Sequence, residues 1–590
     1  MRIEPSRTLF GFSRNEATTR YLEIVYILFL PVAAWYLYQF SVFNNPSGFY
    51  DPWVYFGYVH NFHDLIERYG LPYYSVRFGL IFPLLAFVWL LGPIKGYMAF
   101  VYAMYLLAGI PLYLLFRKKF SIHAAALTYT ILVASAWFAR TVLWTHPDAS
   151  GVPYLTAALA VMLLEAKHRR WASFTVGVLV ALAANSNIFA LPVGGLSAIA
   201  YLVYYKNTLW TSLRLDFISM AAGFLLIFAA GMMGYYVCCQ QINFVSSTLP
   251  MIKWSMQGSG HIYQAPLSTL LKLNYLCLGP FLVLAMILIL RTVALEYRSI
   301  LFAAVSYLAA VLGFYIAYEW FTKTALLELF YYFSFLFAPS IVCMALVPIA
   351  LAKASNSEHQ LLNLALVSFL IMPLIIKYGS GAGLYNVPIY LVCLSCAVTL
   401  LLILLAIRSK KITAYAIVCF VSSVQLSLVS TVIQGMPFYA EMYGGVGEVN
   451  LSRYRLGLKF IESIPKFNGD GRPVYFWYAN ADKLANSLQS TYLWAYSRLM
   501  NSKQGTKGLP VWSGVNLDLL RKRCSLVLFD RNHQIVDLGV EELRNVGVQF
   551  IVKHTTDICE GNICYTVAVL DVNGYGRQFD EDLESEAAAP

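Results

Sequence analysis

Charge is scarce in this sequence. Only 12% of its 590 residues are Asp, Glu, Lys or Arg, whereas 59% are hydrophobic and 16% are aromatic. So little charge cannot keep a surface of this size in water, and most of the chain must therefore lie in lipid. The net charge of +11 does not indicate nucleic acid, because the basic residues cluster in short loops between apolar segments, where they set membrane orientation. The composition predicts an α-helical polytopic membrane protein that binds no nucleic acid.

The polar C-terminal part lacks a Gly-rich phosphate loop before its predicted helices, so nothing in it marks a nucleotide site. Its cysteines are Cys524, Cys559 and Cys564. The spacing of Cys559 and Cys564 would close a tight disulfide across a hairpin, which needs an oxidising compartment. Whether they form it stays open at this point. A zinc site would need two more ligands, and only His554 lies near.

Long apolar runs separated by basic loops fix the predicted topology. Residues 21–40 are too long for a signal-peptide core and form a retained anchor with a cytoplasmic N-terminus. Residues 79–92 are short and are predicted to be re-entrant, because the basic residues 117–119 then face the cytoplasm. About thirteen transmembrane helices follow from this scheme, with every strongly basic loop inside. The predicted location is the inner (plasma) membrane, with the C-terminal part outside.

The composition changes near residue 434, which divides the chain. Residues 1–433 are predicted to form the transmembrane domain, with a first outer loop at residues 41–95 that carries interfacial helices. Residues 434–579 alternate strand-like and helical patterns, which predicts a small periplasmic α/β domain. Residues 580–590 are acidic and Ala-rich and are predicted to be disordered.

The first outer loop is rich in aromatic residues from 47 to 78. Asp51 followed by Pro52 predicts a helix start, because Asp accepts free backbone N–H groups and Pro tolerates the first turn. The helical pattern that follows is amphipathic. A helix too polar to cross a bilayer and too apolar to leave it is expected in the membrane interface. Its apolar face holds Tyr55, Val59, Phe62, Ile66 and Tyr69, and its polar face holds His60, His63, Asp64 and Glu67.

Three predicted outer loops each bring one acid, namely Asp51, Asp148 and Glu319. Basic residues lie near them in sequence. These are Arg68, Arg77, Arg140, Lys253 and Lys323. Cations can hold an anionic leaving group while a carboxylate takes a proton from an attacking hydroxyl. The set therefore suits group transfer from a membrane-anchored phosphate donor without a soluble nucleotide.

Each of these residues also has a plainer structural interpretation. Asp51 could be a helix cap and not a catalyst, and the helix dipole would then make it a weaker base. Asp148 could equally cap the helix that follows it. Glu319 could form a surface ion pair beside Lys323, and Arg77 could bind lipid phosphate in general. The spacing of His60, His63 and Asp64 fits metal ligands as well as a wet interfacial face.

The chain resembles the GT-C superfamily of integral membrane glycosyltransferases in four features. These are an aromatic first outer loop with Asp51-Pro52, a second outer acid at Asp148, about thirteen membrane crossings and an outer C-terminal α/β domain. Within the superfamily, the protein O-mannosyltransferases and lipid A aminoarabinose transferases are the most similar. The resemblance covers the topology of the whole chain, but its residue-level support is confined to the stretch around Asp51 and a looser match near Asp148. It departs from the family because Pro52 stands where a paired acid is often found. The Trp-Trp-Asp signature of the oligosaccharyltransferases is also missing, which argues against transfer of whole oligosaccharides to protein.

The resemblance implies an inverting transfer of a single sugar from a polyprenyl-phosphate-linked donor. The acceptor would be lipopolysaccharide, another lipid, a glycan or a protein on the outer face. Carried over by position, Asp51 is the general base and Asp148 the second acid. The predicted donor-phosphate ligands are Arg77, Arg68, Lys323 and Lys253. The predicted substrate-binding residues are Tyr55, His60, His63, His146 and Glu319.

No metal ligand and no required cofactor are assigned, although assistance by Mg²⁺ or Mn²⁺ stays open. Two alternatives of other classes also stay open. A membrane transporter or lipid flippase would need ionisable groups in mid-membrane, where the polar break Asn185-Ser186-Asn187 is the best that the apolar runs offer. The other alternative is a non-catalytic glycan-assembly protein. The sequence indicates no oligomeric state.

Overall fold

The computed structural model describes residues 16–38, 51–60, 62–69, 71, 73–164, 169–206, 208–256, 277–290, 295–322, 330–379, 389–434, 455–460, 474–478, 506–508, 520, 523–530, 533–561 and 563–575. The chain divides into two compact units. The first, here called the helical unit, comprises Met1–Phe40 and Leu71–Gly445. The second, the mixed unit, comprises Ser41–Gly70 and Val446–Pro590.

Helices make up most of the described chain. In chain order they are α1 (Glu16–Tyr38), α2 (Asp51–His60), α3 (Phe62–Tyr69), α4 (Phe78–Leu91), α5 (Pro93–Lys119), α6 (Ile122–Ala134), α7 (Ala136–Val142), α8 (Asp148–Leu163), α9 (Arg169–Ser186), α10 (Ala190–Tyr204), α11 (Trp210–Cys239), α12 (Leu249–Met256), α13 (Leu278–Ile289), α14 (Leu295–Thr322), α15 (Phe330–Phe333), α16 (Phe337–Ala354), α17 (Glu358–Gly379), α18 (Ile389–Arg408), α19 (Thr413–Gln434) and α20 (His533–Asn545). A short π-helix, Phe244–Thr248, precedes α12.

Within the described residues, eight helical stretches are long and apolar enough to cross a membrane. The number rises to nine if a bent pair of helices is counted as one further span. These stretches coincide largely with α1, α5, α11, α14, α16, α17, α18 and α19, and the bent pair is α6 with α7. Four shorter apolar helices, α4, α8, α10 and α13, accompany them. The multi-pass helical membrane architecture is therefore confirmed. The figure of about thirteen crossings stays a prediction, as does the re-entrant course of the segment that forms α4.

The bend between α6 and α7 lies at Ser135. This residue has an extended backbone, and its side chain accepts a hydrogen bond from the Phe138 N–H at 3.3 Å, which starts a new helix. The two helices consequently meet at an angle of 58°. Because α7 turns away from the axis of α6, the loop after α7 and the start of α8 lie off that axis.

Small residues let several helices approach closely. A Cβ atom on Gly177 of α9 would lie 1.9 Å from the Met220 carbonyl oxygen of α11, and one on Gly223 would lie 2.2 Å from the Phe174 carbonyl oxygen. Without a hydrophobic driving force between helices in lipid, such close packing stabilises the pair. Near the starts of α9 and α11, Tyr201 of α10 donates to Asp216 at 2.5 Å, and Arg169 also contacts that carboxylate.

The helices of the first outer loop belong to the mixed unit. The predicted helix start at Asp51 is confirmed, but the stretch forms two helices, α2 and α3, rather than one. Of the α2 side chains that the structure describes, Pro52 and residues 54–59 are buried and His60 is partly buried. Helix α3 buries Phe62, Leu65 and Ile66 and exposes His63. Burial of six consecutive residues in α2 differs from the amphipathic pattern expected of the whole stretch. Its predicted place in the membrane interface stays a prediction.

The rest of the mixed unit is built on a five-stranded sheet in the order β2-β1-β3-β5-β4. Strand β1 pairs in parallel with β2 and β3, whereas β5 pairs antiparallel with β3 and β4. The strands are β1 (Val474–Tyr478), β2 (Thr506–Gly508), β3 (Cys524–Asp530), β4 (Val548–Glu560) and β5 (Ile563–Tyr575).

Strand β3 is buried on both faces of the sheet, where its successive residues point to opposite sides. Leu526 and Leu528 of β3 pack in one core with Val536 and Leu543 of α20. On the opposite face Val527 and Phe529 pack with Leu456 and Phe460 of a helix at residues 455–460. The predicted small α/β fold is confirmed.

A disulfide joins Cys559 and Cys564. The two residues are cross-strand partners next to the β4–β5 turn, where Gly561 adopts a positive φ of 58° that suits glycine. The pairing that the sequence left open is therefore present.

Candidate active site

The starts of α4 and α8 meet the end of α9 at one end of the helical unit. The Tyr154 hydroxyl of α8 donates to the Gly79 carbonyl of α4 at 3.2 Å. Ser150 of α8 and Ser186 of α9 share a hydrogen bond of 2.9 Å. A Cβ atom on Gly79 would lie 2.4 Å from the Ser186 hydroxyl, so α4 reaches this point only because Gly79 has no side chain. The contacts bring the residues that open α4 and α8 to the same end of the bundle.

Arg77 immediately precedes α4 and is buried. Its guanidinium carbon lies 4.0 Å from the centre of the Tyr73 ring, and its Nη2 lies 3.6 Å from the Met251 sulfur. Met251 belongs to α12, which also carries the exposed Lys253. Two of the predicted phosphate ligands are therefore associated with neighbouring elements, one as a buried cation and the other as an exposed one.

The loop between α7 and α8 is packed around Trp144. The indole ring stacks on the imidazole of His146 with ring centres 4.3 Å apart and an interplanar angle of 26°. The guanidinium carbon of Arg140 lies 4.5 Å from the same indole. The Tyr97 hydroxyl of α5 donates to the Leu143 carbonyl and ties the loop to the neighbouring helix. Arg140, Trp144 and His146 are all buried.

Asp148 is the first residue of α8 and is 0% exposed. Its Oδ1 lies 2.8 Å from His146 Nδ1, and its Oδ2 has no hydrogen-bond partner among the described residues. The first N–H groups of α8 bond backbone carbonyls instead, from Ala149 to His146 and from Gly151 to Pro147. The structure thus gives Asp148 no capping bond to α8, in contrast to the plainer interpretation of this residue.

Glu319 lies in the last turn of α14 and is 7% exposed. Its neighbour Tyr318 contacts Phe189 edge-on with ring centres 5.4 Å apart. The Phe189 N–H donates to the Asn187 side chain, in the link between α9 and α10. The end of α14 therefore lies at the same end of the unit as the end of α9. Glu319 is thus buried rather than at the surface, and Lys323, its predicted ion-pair partner, lies outside the described residues.

The remaining predicted site residues lie in the mixed unit. Asp51 opens α2 and Arg68 lies in α3, whereas Tyr55 is buried in α2. His60 contacts Phe56 edge-on at 4.6 Å, and burial lowers the pKa of His60 to about 4. His63 is exposed. Among the residues that the structure describes, no group of three or more His, Cys, Asp or Glu side chains is arranged to hold a metal ion.

The structure thus associates Arg77, Arg140, His146, Asp148 and Glu319 with one end of the helical unit. Sequence reasoning named all five but missed Trp144, which contacts two of them. A local signal was present. Arg140 and Trp144 are one helical turn apart, and His146 and Asp148 follow at two-residue steps, a spacing that can place four side chains together in a bend.

No protein-family model matches the chain, and no curated protein matches its sequence. Solved structures do match. ArnT from Cupriavidus metallidurans, bound to undecaprenyl phosphate, is 14% identical with a TM-score of 0.50, covering 94% of this chain and 98% of that one. Its apo state gives a TM-score of 0.51 at the same identity and coverage. The apo oligosaccharyltransferase of Archaeoglobus fulgidus gives only 0.40, at 14% identity, over 82% of this chain and 64% of that one.

The likeness to ArnT extends over almost the whole of both chains. At this level of identity it concerns the fold. The GT-C type of fold that the resemblance implied, with a membrane-embedded helical part followed by a small C-terminal α/β part, is thereby confirmed.

Proposed function

We propose that this chain, which has the GT-C fold, is a glycosyltransferase. It transfers a single sugar from a polyprenyl-phosphate-linked donor to an acceptor hydroxyl on the outer face of the membrane, with inversion. The acceptor class comprises lipopolysaccharide, another lipid, a glycan or a protein. Asp51 is the general base and Asp148 the second acid.

The observation that carries the proposal is the combination of buried cations and a buried carboxylate at one end of a membrane-embedded bundle. Arg77 and Arg140 are buried guanidinium groups, and Asp148 is a buried carboxylate with one oxygen lacking a described partner. Arginine stays charged when buried and matches phosphate oxygens in a bidentate manner. Side chains of this kind can hold a phosphate leaving group and sugar hydroxyls together in a water-poor site.

In the proposed step, the Asp51 carboxylate takes the proton of the acceptor hydroxyl. The acceptor oxygen forms a bond to the anomeric carbon of the sugar, while the bond from that carbon to the phosphate oxygen breaks. Both bonding electrons leave with the polyprenyl phosphate. Arg77 supplies positive charge to that phosphate, with Arg68, Lys253 and Lys323 as further phosphate ligands. The undecaprenyl phosphate bound to ArnT has the chemistry of this leaving group.

Sugar recognition is assigned to Tyr55, His60, His63, His146 and Glu319. Residues 1–433 would perform the transfer, and residues 434–579 would form the outer α/β domain. The tail at residues 580–590, which the sequence predicts to be disordered, lies outside the described residues. The disulfide Cys559–Cys564 supports an oxidising, extracytoplasmic location for that domain. An inner (plasma) membrane location with a cytoplasmic N-terminus completes the proposed orientation.

The test measures transfer of label from radiolabelled polyprenyl-phosphate sugars to cell-envelope extract in liposomes. The native protein is compared with Asp51→Asn and Asp148→Asn, and with Asp537→Asn as a control, because Asp537 is an exposed acid on α20. Loss of a general base costs about a hundredfold to ten-thousandfold in rate. We expect losses of this order in the first two variants and none in the control. Addition of EDTA tests whether a divalent cation assists.

Each outcome decides a separate point. Equal transfer by the native protein and Asp51→Asn would remove Asp51 as the base and move that role to Asp148. Absence of transfer by the native protein with every donor would reject the enzyme, and lipid translocation would then be measured to test the transporter alternative.

A further inference from the structure

We propose that His146 is a positioning residue for Asp148. Its Nδ1–H holds Oδ1 of the carboxylate, so that Oδ2 is aimed to accept a hydrogen bond from a hydroxyl group of the transferred sugar. This inference rests on the proposed function, since the sugar hydroxyl is the ligand of that reaction. It adds a defined role to each oxygen of the carboxylate and a defined tautomer to the imidazole.

The hydrogen bond between His146 and Asp148 needs a proton on one of the two atoms that it joins. Asp148 Oδ1 and His146 Nδ1 lie 2.8 Å apart. The proposal assigns the proton to Nδ1, because a carboxylate that serves as an acceptor for a sugar hydroxyl only accepts hydrogen bonds. That distance is typical of a charge-assisted bond. With Oδ1 held in this way, the carboxylate has less freedom to rotate.

The imidazole is itself held in place. It stacks on Trp144, and the His146 N–H bonds the Trp144 carbonyl at 3.0 Å. Trp144 is 1% exposed and also contacts the Arg140 guanidinium. Tyr97 anchors the same loop through the Leu143 carbonyl. The ring therefore cannot swing away from Asp148 without disturbing a buried loop.

The second oxygen indicates a ligand. Asp148 is 0% exposed, and its Oδ2 has no hydrogen-bond partner within the described part of the chain. A buried carboxylate oxygen without a donor is costly, so it is expected to gain one when the site is filled. Sugar hydroxyls are donors, and the site is proposed to bind a sugar.

Three variants separate positioning from a merely structural contribution. His146→Asn places an amide N–H near the position of Nδ1, so it can still donate to Asp148. His146→Gln places its amide near the position of Nε2 and cannot make the same bond. His146→Phe keeps an aromatic ring to stack on Trp144 but removes the donor.

The experiment measures kcat and KM for sugar transfer by the intact protein, with radiolabelled polyprenyl-phosphate sugar as donor, and thermal unfolding of each variant in detergent. Misplacement of a reacting group by about 1 Å can cost about a hundredfold in rate. We expect His146→Phe and His146→Gln to lose about that much in kcat and to unfold at a lower temperature, because Asp148 Oδ1 also loses its donor. His146→Asn should recover at least about tenfold of the loss in kcat.

Full activity in His146→Phe would overturn the inference, as would equal activity of His146→Asn and His146→Gln. If His146→Phe does not fold, the comparison of the Asn and Gln variants decides alone. Failure of this inference is distinct from failure of the proposed function. In the first case the native protein transfers sugar and Asp148→Asn does not, whereas in the second case the native protein transfers none.

Discussion

Replacement of Gly79 by alanine is expected to disturb the end of the helical unit that carries the candidate active site. The added Cβ would lie 2.2 Å from the Leu182 carbonyl oxygen and 2.4 Å from the Ser186 hydroxyl, both on α9. The first of these atoms belongs to the backbone and cannot rotate away. Ordinary contact begins at 3.4 Å, so α4 and α9 must separate by about 1 Å, and overpacking of this kind costs about 1–3 kcal/mol.

The same displacement should reach the proposed chemistry. Arg77 lies two residues before Gly79, at the start of the helix that would move. A misplacement of about 1 Å can lower the rate about a hundredfold. We therefore expect Gly79→Ala to lower both the unfolding temperature in detergent and the rate of sugar transfer, with a larger relative effect on transfer than on folding.

Gly195→Ala is the matched control for this prediction. Gly195 lies in α10, and a Cβ there would meet nothing within 4 Å. Alanine is favoured over glycine in a helix by about 0.5–1 kcal/mol, so this variant should be as stable as the native protein or slightly more so. If Gly79→Ala matched Gly195→Ala in both stability and transfer, the close approach of α4 to α9 would be refuted.

Two further predictions concern the mixed unit. Burial lowers the pKa of His60 to about 4 from 6.5. Between these two pH values the unfolded chain binds a proton that the folded chain does not. Stability therefore falls as pH drops from 6.5 towards 4, by at most about 1.4 kcal/mol per pH unit. The drop in unfolding temperature from pH 7.5 to pH 5 should be smaller in His60→Gln than in the control variant His63→Gln, whose histidine is exposed. An equal drop in both variants would contradict the burial of His60. Replacement of both Cys559 and Cys564 by serine should lower the stability of this unit by about 2 kcal/mol, because a short loop loses its cross-link. A reductant should reproduce that loss in the native protein and have no effect on the double variant, and an unchanged native protein would count against the disulfide.

The general architecture could be predicted from sequence because its causes are local. Apolar runs longer than a bilayer is thick mark membrane helices, and strand-like runs between helical patterns marked the α/β part. The break at Ser135 was not predicted, since residues 122–139 form one apolar run without Pro or Gly. Only the capping bond that the Ser135 side chain accepts from the Phe138 N–H, together with packing of α7 on its neighbours, reveals it.

The site was predictable as a list of residues but not as an arrangement. The spacing of His146 and Asp148 was visible in the sequence, yet the burial of Glu319 depends on how α14 packs near the α9–α10 link. The approach of α4 to α9 depends on Gly79, which nothing in the local pattern marks as a contact point. Contacts between distant segments decide both features, and one sequence does not display them. The roles of Asp51 and Asp148 stay predictions.

The mixed unit is built from two segments that lie far apart in the sequence, and this sets an order of events during synthesis. Its first part ends at Gly70 and its second part begins at Val446, so more than 370 residues separate them. At about 5–20 residues per second, translation of that interval takes roughly 20 to 75 seconds. Throughout this time the side chains of Tyr55, Phe56 and Tyr58, which end up buried, are made but lack most of the unit that they join. Such unpaired apolar surface makes a nascent chain prone to aggregation until its last quarter emerges.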